Sequence, residues 1–146
     1  LSITCLSTFY YKAPMQYKTE AKEKFTVLTI LETSLNSNLV PELGQIIEKL
    51  GAQAPKNLVL NLGKVAHWDL PVITKLAEDQ TAFYDNNTSF VICCLSDSLQ
   101  NTLDLTEYAD IMNITPTESE AWDIVQMEEI ERELLDGEDM EFSSQQ

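Results

Sequence analysis

One stretch of the chain, Lys56 to Ile73, constrains the fold more than any other. It opens with Asn57 to Leu62, a short run of apolar and β-branched residues between a proline and a glycine, which predicts a buried strand. Asp69 and Pro71 then stand where a helix would begin, because a carboxylate caps free N–H groups and proline fits the first turn. Such a strand, loop and helix start lie at the carboxyl end of a sheet, where open α/β proteins place binding sites. We therefore expect the loop 66–72 to form the binding site.

The other segments predict strands and helices in alternation. The predicted strands are Gln16–Lys24, Phe25–Leu31, Asn57–Leu62, Ser89–Leu95 and Ile111–Ile114, and the predicted helices are 38–50, 72–85, a short one from Asp97 and a last one from Thr117. This β-β-α-β-α-β-α-β-α order favours a mostly parallel sheet, with one antiparallel edge because the first two strands are too close for a crossover. We predict an α/β fold with a four- to five-stranded mixed sheet and about four helices, with helices 38–50 and 72–85 on one side.

Short polar residues mark the predicted helix starts. Asn38 is the predicted N-cap of the first helix and Asp97 that of the short third helix, since their side-chain oxygens can accept free backbone N–H groups. Thr117, with Glu120 three residues later, predicts a capping box for the last helix.

Size and charge exclude several classes of function. The 146 residues, 44% of them hydrophobic, allow one compact domain, and no apolar run approaches the roughly 18 residues of a membrane span. Nine Lys and Arg against 24 Asp and Glu give a net charge of −15, which disfavours nucleic-acid and membrane-surface binding. One histidine and three cysteines without a Cys-x-x-Cys pattern disfavour a metal site and fit a reducing compartment. We expect a cytoplasmic protein without a cofactor.

The two ends of the chain differ from the body, which we place at 15–135. Residues 1–14 are expected to be either a disordered extension ahead of a start at Met15 or an extra edge strand. From Glu118 to Glu141 eleven acids oppose one base, so this segment carries −10 of the −15. The acidic tail 136–146 has too little apolar content to pack and is predicted to be disordered.

Three segments of the chain resemble the STAS domain, the fold of bacterial anti-sigma factor antagonists. They are F-T-V-L-T-I-L from Phe25, L-N-S-N-L-V-P-E-L from Leu35 and N-L-V-L-N-L-G-K-V from Asn57, within a resemblance that covers about residues 16–135. The acidic stretch M-E-E-I-E-R-E-L-L is similar to a subset of that family. The resemblance implies a protein partner, a kinase-type anti-sigma factor, whose binding frees the sigma factor. It also implies a loop reading Asp-Ser-Ser-Gly, whose first serine that partner phosphorylates to switch binding off.

The chain departs from the family pattern at this loop. Asp69 matches the family's aspartate, but Leu70 and Pro71 occupy the serine positions and Val72 that of the glycine. The nearest hydroxyl belongs to Thr74, which we expect a turn into the helix. The resemblance therefore implies the fold and the class of partner, but no phosphorylation site and no working phospho-switch.

The predicted partner-binding residues come from the central loop, from the start of the helix that follows it and from the stretch 36–38 beside it. They are Asn36, Ser37, Asn38, His67, Trp68, Asp69, Leu70, Pro71 and Thr74. Several have a structural alternative: Trp68 is either an exposed contact or packs under the loop, and Asp69 is either a functional carboxylate or a cap. The stretch 36–38 either lines the partner face or supplies turn and cap residues, and a lone histidine such as His67 is more typical of a surface or packing position.

We expect a non-enzymatic binding module, a monomer or weak dimer, that docks on an anti-sigma factor serine kinase through the loop 66–72 and the helix 72–85. Two alternatives stay open: a degenerate STAS scaffold subunit of a signalling complex, and a small-ligand sensor or enzyme that uses His67 and Asp69. With four glycines and no Gly-x-Gly, the chain lacks a phosphate-cradling loop, which disfavours the enzyme. Cys93 and Cys94 could be a redox pair but are interpreted as small buried residues. We expect no bridge between them, because neighbouring side chains in a strand point to opposite faces.

Overall fold

The computed structural model describes the backbone of residues 14–145 and the side chains as far as Leu135. The predicted extension 1–14 therefore lies outside the described residues, apart from Pro14. No helix within the described part of the chain is long and apolar enough to cross a membrane.

Within residues 14–145 the main sheet has five strands, and its centre is parallel. In chain order the strands are β1 (Tyr17–Ala21), β2 (Phe25–Ile30), β3 (Ser34–Leu35), β4 (Asn57–Asn61), β5 (His67–Trp68), β6 (Phe90–Cys93) and β7 (Ile114–Thr115). The main sheet has the order β1-β2-β4-β6-β7, and β3 and β5 form a separate parallel pair. Only β1 is antiparallel to its neighbour in the main sheet, which confirms the predicted mixed sheet with one antiparallel edge. The last strand lies at Ile114–Thr115 rather than 111–114, because Ile111 ends a 3₁₀ turn and is exposed.

Four α-helices complete the described part of the fold, as predicted. They are α1 (Val40–Gly51), α2 (Leu70–Asp85), α3 (Asp97–Asp104) and α4 (Glu118–Gln145), with short 3₁₀ helices at Ser37–Leu39 and Glu107–Asp110. The backbone of α4 continues past Leu135, whereas the sequence predicts a disordered tail from 136. The side chains of that stretch lie outside the described residues, so the domain boundary at 135 stays a prediction.

The predicted caps are correct for the last helix and wrong for two others. The hydroxyl of Thr117 accepts the N–H of Glu120 at 3.2 Å, as a capping box requires. Ser96, not Asp97, caps α3, because its hydroxyl accepts the N–H of Leu99. Asn38 lies inside the 3₁₀ helix 37–39, so it caps neither that turn nor α1.

The sheet separates two hydrophobic clusters, as the alternation of side chains along the strands requires. On one face Leu28, Leu60 and Ile92 pack under the three helices α1, α2 and α3. On the other face Val59 and Val91 pack under α4. Helices 38–50 and 72–85 were predicted on one side of the sheet, and α1 and α2 do share the first cluster.

Hydrogen bonds to two glutamates fasten α4 across its face of the sheet. At its start the carboxylate of Glu118 accepts a hydrogen bond from the side chain of Asn61 at 2.6 Å. Ten residues later the carboxylate of Glu128 accepts from the hydroxyl of Ser89, also at 2.6 Å, and from Asn113 at 3.1 Å. Because Asn61 is the last residue of β4 and Ser89 precedes β6, Glu118 and Glu128 hold opposite ends of the sheet.

A candidate partner-binding surface

Two loops lie side by side at the carboxyl end of the main sheet, and the short β3–β5 pair joins them. Ser34 pairs with His67 and Leu35 with Trp68. The carbonyl oxygen of Thr33 also accepts the N–H groups of Ala66 at 2.7 Å and His67 at 3.2 Å. These contacts bring the predicted site residues 36–38 and 67–71 onto one surface.

Asp69 connects the second loop both to α2 and to the first loop. One carboxylate oxygen, Oδ1, accepts the N–H of Val72 at 3.4 Å, which makes Asp69 the N-cap of α2. The other, Oδ2, accepts the N–H of Ser37 at 3.0 Å, 32 residues away in the sequence. The predicted cap is therefore confirmed, and the same carboxylate holds the two loops together.

The first loop presents three exposed polar residues. Asn36 is the cap of the 3₁₀ helix, and its side-chain oxygen accepts the N–H of Asn38 at 2.9 Å. Asn36, Ser37 and Asn38 are all exposed. A cavity of about 510 Å³ borders this loop, and its lining includes Asn36 and Asn38 but neither His67 nor Asp69.

Leu70 and Pro71 form an exposed apolar corner at the start of α2. More than half of Leu70, 54%, is exposed although it begins a helix. Pro71 is exposed beside it, whereas Val72 and Ile73 turn into the core and are fully buried. Thr74 is the fifth residue of α2 and is only partly exposed, so its hydroxyl lies in the second turn rather than in the loop.

Of the two aromatic residues in the second loop, one is buried and one faces solvent. Trp68 is only 6% exposed, and its indole Nε1 donates a hydrogen bond to the carbonyl oxygen of Leu99 at 3.1 Å. The structure therefore favours packing under the loop over an exposed contact. The imidazole of His67 is exposed. Within the described residues, no group of three or more His, Cys, Asp and Glu is arranged to hold a metal ion.

Cys93 and Cys94 lie closer together than the sequence predicts. β6 ends at Cys93, and Cys94 has φ +69°, so the two side chains do not point to opposite faces as in a regular strand. Their Sγ atoms are 3.4 Å apart, and both thiols are free. Burial, together with the neighbouring Cys94 thiol, raises the pKa of Cys93 far above its usual range.

Comparison with known families decides what this fold is. The family model of the STAS domain matches residues 17–121. The chain belongs to the STAS domain family. Among curated protein sequences, none matches this STAS protein significantly.

Solved structures with the same fold come from several kinds of protein. An anti-sigma factor antagonist from Mycobacterium paratuberculosis has a TM-score of 0.65 and 21% identity, over 80% of this chain and 99% of its own. The Bacillus cell fate determinant SpoIIAA in its phosphorylated form has a TM-score of 0.56 and 13% identity, over 75% of this chain and 99% of its own. The murine Solute Carrier 26 family member A9 anion transporter has a TM-score of 0.67 and 13% identity, over 86% of this chain but 24% of its own. At these identities the likeness shows the STAS fold.

The sequence located the residues of this surface but not the contacts that assemble it. Strands of two residues leave no periodicity, so the β3–β5 pair was not predicted. The sequence did contain a signal for the β3–β5 pair. Two turn-forming stretches each follow a predicted central strand. Parallel neighbouring strands bring such stretches to the same edge of the sheet.

Proposed function

We propose that this STAS protein is a non-enzymatic regulator that binds a kinase-type anti-sigma factor through the loop 66–72 and α2. Its binding has no serine phospho-switch. The observation that supports this proposal is the exposed side chain of Leu70 at the position of the family's phosphorylated serine. Around it lie the exposed residues 36–38, His67 and Pro71.

Leu70 changes the physical effect of this position on a complex. In the family a phosphate here would bring nearly two negative charges to a contact surface and disrupt it by repulsion and desolvation. An apolar side chain that a partner covers instead contributes up to about 2 kcal/mol. The surface is therefore suited to constitutive binding.

Asp69 contributes to this surface by holding the loops in place rather than by acting as a catalytic group. Both of its carboxylate oxygens accept backbone hydrogen bonds, one from Val72 and one from Ser37. A carboxylate used in this way holds the shape of the two loops, which supports a binding role over the alternative of an enzyme built on His67 and Asp69.

The test compares two exposed leucines. Leu70→Asp imitates the family's phosphate, whereas Leu105→Asp places the same charge at a leucine that is 89% exposed beyond α3. Each protein is used as bait in a lysate of the native cell, the retained kinase is identified by mass spectrometry, and its affinity is measured by titration. We expect Leu70→Asp to weaken the complex at least tenfold, about 1.4 kcal/mol, and Leu105→Asp to leave it unchanged. With ATP present, the loop 66–74 should stay unphosphorylated.

Two results contradict the proposal. Phosphate on Thr74 would mean that the switch has moved into the helix. Equal binding by Leu70→Asp and the parent would mean that this loop is not the interface.

A second candidate is a scaffold domain within a larger assembly. It is favoured by the likeness to one part of a much longer anion transporter chain, of which the match covers 24%. Recovery of a large complex without a kinase in the same experiment would support it.

A further inference from the structure

The helix α4 has two apolar faces, of which the sheet covers one. Ala121 and Val125 are fully buried against β4 and β6. Met127, Ile130 and Leu134 are exposed by 55%, 53% and 57%. Their spacing of three and four residues places these three on a single stripe, which we name the outer stripe.

The outer stripe faces away from the domain. Ile130 follows Ala121 by nine residues, which is two and a half turns at 3.6 residues per turn, so the two side chains lie on opposite sides of the helix. Single exposed apolar side chains are normal, but a row of three with a polar rim marks a site of interaction.

The rim of the outer stripe is acidic. Glu131 and Glu133 are exposed on its two flanks, and Asp123 is exposed one turn before Met127. Between Glu118 and Leu135 there are seven acids and one base, a net charge of −6. The base, Arg132, does not reduce this charge on the outer side, because its guanidinium nitrogens lie 3.4 and 3.5 Å from the hydroxyl of Ser89 on the sheet side.

We propose that the outer stripe is a docking surface for an amphipathic helix of another protein, with lysine or arginine on both sides of its apolar face. Two helices that bury such stripes pair like a short coiled coil, and charges beside the seam decide which partners are accepted. A basic helix fits the acidic rim. A second copy of this chain does not, because it would bring a second segment of net charge −6 against the first.

This surface is separate from the loop 66–72 and does not rest on the function proposed for that loop. Trp68 and Val72 of the loop belong to the cluster under α1, α2 and α3, whereas α4 lies on the other face of the sheet. One STAS domain therefore has room for two proteins at once.

The test uses designed peptides of roughly three heptads with leucine at the seam. One peptide has lysine beside the seam and the other has glutamate at the same positions. Binding of each to the full chain is measured by fluorescence anisotropy at low and high salt. The double variant Ile130→Ser, Leu134→Ser removes the stripe without changing the charge, and Ile111→Ser, at a residue that is 60% exposed elsewhere, is its matched control.

We expect the lysine peptide to bind the parent and Ile111→Ser equally, and the double variant at least tenfold more weakly. The glutamate peptide should not bind, and high salt should weaken the complex. The proposal is overturned if the double variant binds the lysine peptide as tightly as the parent, since charge alone would then explain binding. It is also overturned if the lysine peptide does not bind, or if the parent dimerises through this stripe in preference to binding it. Unchanged circular dichroism melts of the variants show that the fold is intact.

Discussion

Replacing Asp69 by alanine should destabilise the domain by removing two bonds that one carboxylate makes. The loss of the N-cap, in which Oδ1 accepts the N–H of Val72, costs about 1 kcal/mol. The second bond is the one that Oδ2 accepts from the N–H of Ser37. Its loss leaves the loop at 36–38 without its charged acceptor. Because Ser37 is exposed and water can replace the acceptor, we place this second contribution below the usual range for a charged acceptor, at about 1 kcal/mol, as for an ordinary hydrogen bond. The total is about 2 kcal/mol.

Asp69→Asn separates the two contributions. An asparagine side chain has one oxygen, which can still cap α2, and an NH₂ group that cannot accept the N–H of Ser37. A domain of this size loses about 4 °C in Tm for each kcal/mol. We therefore expect Asp69→Ala to lower the Tm by about 8 °C and Asp69→Asn by about half of that.

Urea denaturation followed by circular dichroism gives the free energies, and amide hydrogen exchange at Ser37 reports the loop. Both variants should exchange this amide faster than the parent does. Equal losses of stability in the two variants would show that the cap contributes nothing. Unchanged exchange at Ser37 in both would show that the contact between the loops does not form in solution.

Two further predictions concern buried side chains that lie outside the candidate partner-binding surface. Burial raises the pKa of Asp79, and the ion pair with Lys75 at 3.0 Å offsets this only in part. The folded state then binds the proton more tightly than the unfolded state, so the contribution of Asp79 to stability is fully present below its ordinary pKa of 3.8 and is lost as the pH rises through the raised value. The stability of Asp79→Asn relative to the parent should thus be greatest at pH 7 and fall towards pH 4, and urea midpoints that show the reverse would contradict this. Because burial raises the pKa of Cys93 while Cys94 is partly exposed, iodoacetamide should label Cys94 first, and tandem mass spectrometry that finds equal labelling would show that the two thiols are equally accessible.

The central strands could be predicted because burial on both faces leaves a run of residues without charged side chains. In β2 every residue from Phe25 to Ile30 is buried, and the run contains no charged side chain. The capping carboxylate of Asp69 was also recognisable, since a cap acts on residues two or three positions away. Patterns of this kind are local, so the sequence alone contains them.

The remaining features depend on contacts between distant residues. Trp68 is buried in the core cluster, and the acceptor of its N–H is a carbonyl oxygen 31 residues away. The bond from Ser37 to Asp69 spans 32 residues, and neither residue indicates it in the sequence. At Cys94 a positive φ ends the strand early, although nothing marks that residue as different from Cys93. These features follow from how the loops pack, which local propensity does not determine.

The two glutamate bonds of α4 have a consequence for how the domain opens. Among the described side chains, α4 packs Ala121, Val125 and the stacked ring of Trp122 against the sheet, and Glu118 and Glu128 bond to it at the two ends of this contact. A unit held in this way opens cooperatively and at a lower free energy than the strands beneath it. Opening of α4 would expose one face of the sheet to water, and a parallel sheet needs both faces covered. The opening of α4 therefore controls when water reaches the central strands.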